Sequence, residues 1–530
     1  MRSSGSGVAQ PDPDASYVAK AIARLGSVSH AEAIARDRPS RGRRAACRVL
    51  SARVSSRPIS EGSHPPARRA AARAALALAL TQVACLVTVT MARDAAAASP
   101  PPPRGALTLL TGPGGCVGSP CTRLRGATAL VRIAVSPDGR NLYLSGQAGG
   151  LSILARDGRT GRIYQLAGRG GCFRRDARQG CGLLRTLTDP AGLTVSPDGR
   201  DVYVTTTHGV LGFARNRQTG ALRPLTGAGR CVDATLPGCR PLRGLPAPTE
   251  LTASGNGTLY VAGSVPHPRA PATGALAVLS RTPATGALSQ HAGPAGCFDD
   301  VATPGCTTAP CLDTLPALAP ARDRRHLYVG STDSLDIEST GPGALATFAS
   351  SPATGALTYI GCVTTVNAIS SVVPERSGTG VFVDTMYANR GNGRAEATID
   401  LFAPGPRGLL TRVRRVACAQ TPRCQIPIDF DSSVLALTPR GDTLYYAAFF
   451  SGIAAMRVGS HRLSALPGRA ACVIARRNFM PLAPCARAGQ VVAKDIAVSP
   501  DGRNLYVGFI GNSRVGNFYG GGIEAFTIRR

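Results

Sequence analysis

Tryptophan is absent from the 530 residues, and lysine occurs only at Lys20 and Lys494. Histidine appears 7 times and aromatic residues make up 5% of the chain. The chain carries no HExxH, no GxSxG and no phosphate-loop pattern. Zinc-peptidase, nucleophile-elbow and P-loop chemistry therefore have no motif to rest on. No two cysteines have CxxC spacing, which argues against structural zinc. Apolar runs are short; the most extended, Ala74 to Val89, is not long enough for a comfortable membrane span. Arginine, in place of lysine, carries a formal net charge of +29. These arginines scatter through turns and loops. They neither cluster on one element nor interleave with stacking aromatics, so no nucleic-acid partner is expected.

What remains is rich in turn formers, with 62 Gly and 41 Pro. That composition suits many short strands, not helical bundles. Residues 1–67 are polar, rich in Ser, Arg and Ala, and read as a disordered leader. Residues 68–98 combine Arg68, Arg69 and Arg73, the apolar run, and small residues Ala95 to Ala98, the parts of a secretory signal peptide. Its internal position fits either a long cytosolic extension or a start codon assigned too far upstream; the second is preferred. Residues 99–104 form a Pro-rich linker, and 105–530 form the folded domain. A monomer outside the cytoplasm is expected, with membrane contact only through the signal segment.

Fourteen cysteines follow the leader. Twelve lie in close pairs: Cys116 with Cys121, Cys172 with Cys181, Cys231 with Cys239, Cys297 with Cys306, Cys418 with Cys424 and Cys472 with Cys485. Cys311 and Cys362 are left to join each other. Paired spacings behind a signal-like segment predict a disulfide framework. A loop of about ten residues gains roughly 2–3 kcal/mol from such a bridge in the chain-entropy picture.

The stretch VSPDGRNLYL (Val135 to Leu144) returns as VSPDGRDVYV from Val195 and VSPDGRNLYV from Val498. Weaker copies begin at Leu251, Leu318, Val372 and Leu435. Their aromatic marks are Tyr143, Tyr203, Tyr260, Tyr328, Phe382, Tyr445 and Tyr506. Each copy is two apolar runs around a Pro/Gly/Asp turn, a hairpin pattern. A second motif follows most copies, as in Thr219-Gly220-Ala221-Leu222 and Thr285-Gly286-Ala287-Leu288, with an apolar strand on either side. Four strands repeated seven times predict an all-β, seven-bladed β-propeller of four-stranded blades. The seventh copy ends at Arg530 without a fourth strand, and Arg104 to Leu110 supplies one. The N-terminal strand is therefore expected to close the last blade.

The runs DVYVTT, LYVGF and LYVGS, with SPDG-x-x-[LV]-Y-V followed by TGAL, resemble the YVTN-type, lactonase-like propeller family of the 6-phosphogluconolactonase type. The resemblance covers Gly105 to Arg530. It implies the seven-bladed fold, and it implies lactone hydrolysis or cycloisomerisation as one activity. The shared motifs are turn chemistry and specify fold far better than reaction.

Alternating strand direction puts the SPDG and TGAL turns on one face and the variable loops and Cys loops on the other. The second face is the ligand-face candidate. Aligning the innermost strands gives rim positions Arg132, Gly192, Glu250, Ala317, Ser371, Val434 and Asp495. Arg132, Glu250 and Asp495, with His208 nearby on a ligand-face loop, are the candidate catalytic groups. A carboxylate would act as general base and an arginine would polarise a lactone carbonyl. The competing reading has Asp495 and Arg132 simply pairing across neighbouring blades. Lys494, His267, Arg390, Arg394 and Arg514 are candidate ligand-binding residues, the last four on loop insertions read as mobile. Asp333, Asp336 and Glu338 lack the spacing of a calcium loop, and neither metal nor cofactor is expected. The favoured reading is an exported binding module whose disulfide-stapled loops take a small anionic ligand or a protein. The alternative is a lactonase-like hydrolase or cycloisomerase acting on a small anionic lactone at the channel mouth.

Overall fold

The computed structural model describes most of residues 101–530; outside it lie 1–100, several positions singly or in runs of two or three, and the longer stretches 267–272, 333–341, 390–393, 418–432, 468–471, 475–484, 488–492 and 511–520. The compact unit Pro102–Arg530 is a ring of seven antiparallel sheets. Their innermost strands are Leu130–Val135, Leu193–Val195, Ala247–Ala253, Thr314–Pro320, Ala368–Pro374, Ser433–Leu437 and Ala493–Val498, which number blades 1 to 7. In each blade the SPDG-type turn leads into a second strand carrying the aromatic mark, such as Asn141–Gly146 or Asp201–Thr205. The seven-bladed propeller is thus present as expected.

The N-terminal segment closes the ring. Leu107, Thr108 and Leu109 pair antiparallel with Ile528, Thr527 and Phe526. Cys116 to Gly118 continue along the same third strand of blade 7, opposite Glu524 to Gly522.

Two local features depart from four plain strands. In blades 1, 2, 3, 6 and 7 the fourth strand is split, for instance into Leu222–Pro224 and Cys231–Asp233. Between those halves a glycine at positive φ (Gly227, φ 75°) and a short 3-10 turn push the chain out of the ladder. After the cysteine pair in blades 1, 2, 3 and 6 the chain returns as a two-residue parallel strand on the outer edge, as Arg240–Pro241 beside Val232–Asp233. The disulfides Cys172–Cys181, Cys231–Cys239, Cys297–Cys306 and Cys472–Cys485 fasten these returns. They cover part of an edge that would otherwise offer unpaired backbone groups. Cys116–Cys121 and Cys311–Cys362 are also bonded. Six of the seven expected bridges are therefore present. The seventh, expected between Cys418 and Cys424, is not among them: Cys418 lies outside the described residues, and Cys424 does too.

The second departure concerns blade 5. The segment read as a mobile loop is mostly ladder: Tyr387 pairs with Glu396, Ala388 with Ala395 and Asn389 with Arg394. Only 390–393 lies between the strands.

The hydrophobic core is divided among the seams between blades. One cluster joins Tyr143, Ile153 and Phe173 of blade 1 to Val202, Leu211 and Phe213 of blade 2. The last joins Tyr445 and Ile453 of blade 6 to Ile496, Val507 and Phe526 of blade 7, with Leu107 from the N-terminal strand. Several seams also carry a polar latch made from the repeated motifs. The Tyr143 hydroxyl donates to the carbonyl of Gly220 in the next blade (2.9 Å) and accepts from Arg215 Nε (2.7 Å). The Arg215 guanidinium, with no exposed side-chain surface, also reaches both oxygens of Asp138 (2.9 Å each) and Asn141 Oδ1 (2.6 Å). Arg156 repeats this on Tyr506, Asp501 and Asn504 across the closing seam from blade 7 to blade 1. Arg281 grips Asp198 and Asp201 of blade 2. Tyr260 and Tyr445 keep the hydroxyl-to-glycine bond, to Gly355 and Gly105. A β-carbon at Gly220 (φ 81°) would lie 2.0 Å from Asn141 Nδ2, so TGAL needs its glycine for the latch as well as for the turn.

Candidate functional site at the channel mouth

The rim residues sit where a β-bulge breaks the inner strand. The register shifts between Leu130 and Arg132, Pro248 and Glu250, Thr314 and Ala317, Ile369 and Ser371, and Ala493 and Asp495. Arg132 lies opposite Ser145, Glu250 opposite Ala262 and Asp495 opposite Gly508. The three candidate residues therefore occupy equivalent places on blades 1, 3 and 7.

The ion pair described at this mouth spans more than neighbouring blades, and the Arg132 charge also acts on Asp495. Arg132 pairs with Glu250, reaching past blade 2 to blade 3. Its Nε also donates to Glu250 Oε2 at 3.3 Å. Blade 2 permits this because its rim residue is Gly192. A β-carbon there would lie 2.9 Å from the Thr249 carbonyl and the Leu251 amide of blade 3, so the two blades meet backbone to backbone. Both charged side chains stay partly accessible, 32% for Arg132 and 19% for Glu250.

Asp495 has a different job. It is buried, and its carboxylate accepts the Ile133 N–H of blade 1 (2.6 Å) and its own neighbour's Ile496 N–H (2.9 Å). Ser371 does the same at another seam, accepting the Leu435 N–H at 3.1 Å. Asp495 is thus an inter-blade latch of the rim. Burial pushes its carboxyl up to about 6, against the pull of the Arg132 charge and the two amide hydrogen bonds. The folded value lies above the ordinary carboxylate value, so the neutral form favours folding. The ionised form costs on the order of 2–3 kcal/mol above pH 6, and this cost is relieved as pH falls toward 4. A carbon-13 titration of the Asp495 carboxyl, assigned with Asp495→Asn, is expected to show a midpoint near 6. A midpoint at or below 4 contradicts the burial described here.

The other candidates fall elsewhere. His208 is exposed on the second-to-third loop of blade 2, its Nδ1 3.2 Å from the Pro246 carbonyl. That carbonyl directly precedes the strand carrying Glu250. Lys494 is half-buried beside Asp495. His267, Arg390 and Arg514 lie outside the described residues, as do Asp333, Asp336 and Glu338. The backbone of Arg394 belongs to the blade 5 ladder, opposite Asn389. Among the described residues, no group of three or more His, Cys, Asp or Glu is placed to hold a metal.

One rim group escaped the sequence reading. Asp384 lies opposite Ser371 in blade 5, is fully buried, and accepts the Ser370 hydroxyl at 2.8 Å. The signal was present: aligned copies have Ser145, Thr205, Ala262, Gly330, Ala447 and Gly508 there. A carboxylate in a column of small residues marks a place where the packing differs.

No family model matches the sequence, and no curated protein matches it. Solved structures do match. A putative 6-phosphogluconolactonase from Bacteroides uniformis is 14% identical, with a TM-score of 0.40, over 73% of this chain and 93% of that one. A functionally unknown protein from Desulfotomaculum acetoxidans is 13% identical, with a TM-score of 0.41, over 64% and 84%. A periplasmic gluconolactonase from Pseudomonas aeruginosa is 17% identical, with a TM-score of 0.37, over 63% and 83%. The seven-bladed ring stands independently, on the strand pairing given above.

Proposed function

We propose that the protein is an extracytoplasmic binding propeller that takes a small polyhydroxylated carboxylate at the mouth of its channel. The observation that carries this reading is the Arg132–Glu250 pair. It presents two opposite, partly exposed charges side by side on the wall of a concave ring. A ligand carboxylate can share the guanidinium through a charge-assisted fork, and ligand hydroxyls can donate to Glu250. The six described disulfides support an oxidising compartment. Binding is favoured over catalysis because both oxygens of the buried mouth acid are engaged by backbone amides, and the accessible acid is neutralised by its arginine. Neither is disposed as a free general base.

Calorimetric titration with sodium gluconate tests this. Saturable binding is expected, weakened at least tenfold by Arg132→Ala, as loss of a charged hydrogen bond implies. Glu250→Gln should reduce the preference for gluconate over hexanoate, which lacks the hydroxyls. Absent binding, or binding indifferent to both changes, would sink the assignment. Consumption of gluconolactone that disappears in Glu250→Gln would establish the hydrolase reading instead.

A further inference from the structure

A second concave surface lies on the outer edge, away from the mouth, where blade 7 meets blade 1. A cleft of about 350 Å³ runs there, with Gly114, Thr122, Arg123, Arg125, Tyr164 and Leu166 among its walls. We propose that this cleft binds an acidic glycan, one pyranose ring lying on Tyr164 and its carboxylates meeting Arg123. The proposal is independent of the reading of the mouth.

Tyr164 is 47% exposed. The matching position on the other blades holds Arg223, Ser289, Thr358, Thr411, Ser464 and Thr108, so an aromatic ring is particular to this blade. The ring lies against Gly114, where a β-carbon would come within 2.7 Å of it. One side of the ring is thereby backed by bare backbone. An exposed aromatic face of this kind suits the apolar C–H face of a sugar.

The charge around it has one sign. Arg123 and Arg125 line the cleft and no lining residue is acidic. Arg123 is exposed and has no partner among the described residues. Arg125 is held in place, its Nη2 donating to the Leu166 carbonyl (2.8 Å) and its amide to Gln165 Oε1 (3.0 Å). The walls are fixed to each other across the seam. The Ile163 N–H donates to the Gly114 carbonyl at 2.8 Å, and the Arg162 guanidinium donates to the carbonyls of Thr111 and Pro113. A cleft stitched in this way needs little ordering on binding. A single ring with flanking arginine fits a sugar acid better than single-stranded nucleic acid, which uses successive aromatics along a basic track.

The absence of tryptophan supplies a clean probe. Tyr164→Trp in the full chain places a sole indole on the cleft, at an exposed position that tolerates the change. Titration with hexagalacturonate is expected to change its emission saturably, and more weakly at high salt. Adding Arg123→Ala should weaken that response roughly tenfold. Arg132→Ala, at the mouth, should leave it unchanged. The proposal falls if the indole gives no response, if neutral maltohexaose gives the same response, or if oligothymidylate binds better. It also falls if Tyr164→Ala binds hexagalacturonate with undiminished affinity by calorimetry.

Discussion

Replacing Arg215 with alanine is expected to destabilise the propeller by about 2–4 kcal/mol, the sum of several hydrogen bonds lost in a buried seam at about 1 kcal/mol each. The side chain is fully buried and serves three motifs at once: the Tyr143 hydroxyl, the Asp138 carboxylate of SPDG and the Gly199 carbonyl of the next SPDG turn. Its loss strands the buried Asn141 Oδ1 and the Gly199 carbonyl, and each unsatisfied polar group adds its own desolvation cost; Asp138, partly exposed, keeps the Ser136 hydroxyl and the Arg140 amide. Lysine should rescue little, because one ammonium cannot replace the planar fork. The effect should depend on pH. Burial raises the Asp138 carboxyl more than any other single influence. Hydrogen bonds from Ser136 and the Arg140 amide, with the Arg215 bond and charge, together outweigh it and hold the carboxyl below its usual value. A lowered folded value contributes stability above the ordinary carboxylate range, and this is lost as pH falls through the lowered value. Urea unfolding of Arg215→Ala should therefore differ most from wild type near neutral pH and differ less in acid, where only the bonds to Tyr143, Asn141 and Gly199 still separate the two. A loss under about 1 kcal/mol at pH 7 would show that the latch is ornamental.

Removing residues 1–110 is expected to abolish cooperative folding, whereas removing 1–100 should leave the thermal transition of the propeller in place. The longer deletion takes away the strand that pairs Leu107 to Leu109 with Ile528 to Phe526. It also removes the Gly105 carbonyl that receives the Tyr445 hydroxyl, and the bonds between Ala106, Gly105 and Arg529. Each backbone bond contributes about 0.5–1.5 kcal/mol and each buried leucine about 1.5–3 kcal/mol. Their sum rivals the 5–15 kcal/mol that holds an ordinary domain together. The exposed third strand of blade 7, with Phe526 and Ile528, would also become an open apolar edge. Calorimetry and size-exclusion chromatography of both truncations decide the matter. A folded, monomeric 111–530 fragment with a near-normal transition would mean that the ring does not depend on this closure.

The architecture was legible because the chain repeats itself. Copies of SPDG and TGAL fix strand order, blade number and the missing fourth strand, and these follow from turn chemistry that is local in sequence. The same motifs were read only as turns, yet Asp138, Tyr143 and Gly220 also bind their neighbours across a seam. That role depends on which blade packs where, which a single copy cannot reveal. The mouth was half legible. Alignment placed Arg132, Glu250 and Asp495 on one rim, but ring curvature chooses partners. It joins Arg132 to Glu250 over Gly192, while Asp495 accepts two backbone amides and feels the same Arg132 charge. The split fourth strands do not show in the sequence because, in blades 1 to 3, a glycine turn before the cysteine interrupts a run that otherwise reads as continuous strand. Asp384 stands out in the repeat, one strand outward from the rim column and opposite Ser371.

The central functional claim is that the Arg132–Glu250 side of the mouth is where ligand sits. A crystal structure of the propeller with gluconate tests it most directly. The expected result is density for the carboxylate within hydrogen-bond distance of the Arg132 guanidinium, with a ligand hydroxyl on Glu250. Density only in the cleft beside Tyr164, or a mouth in which the Arg132–Glu250 pair is undisturbed and empty at saturating gluconate, would contradict it.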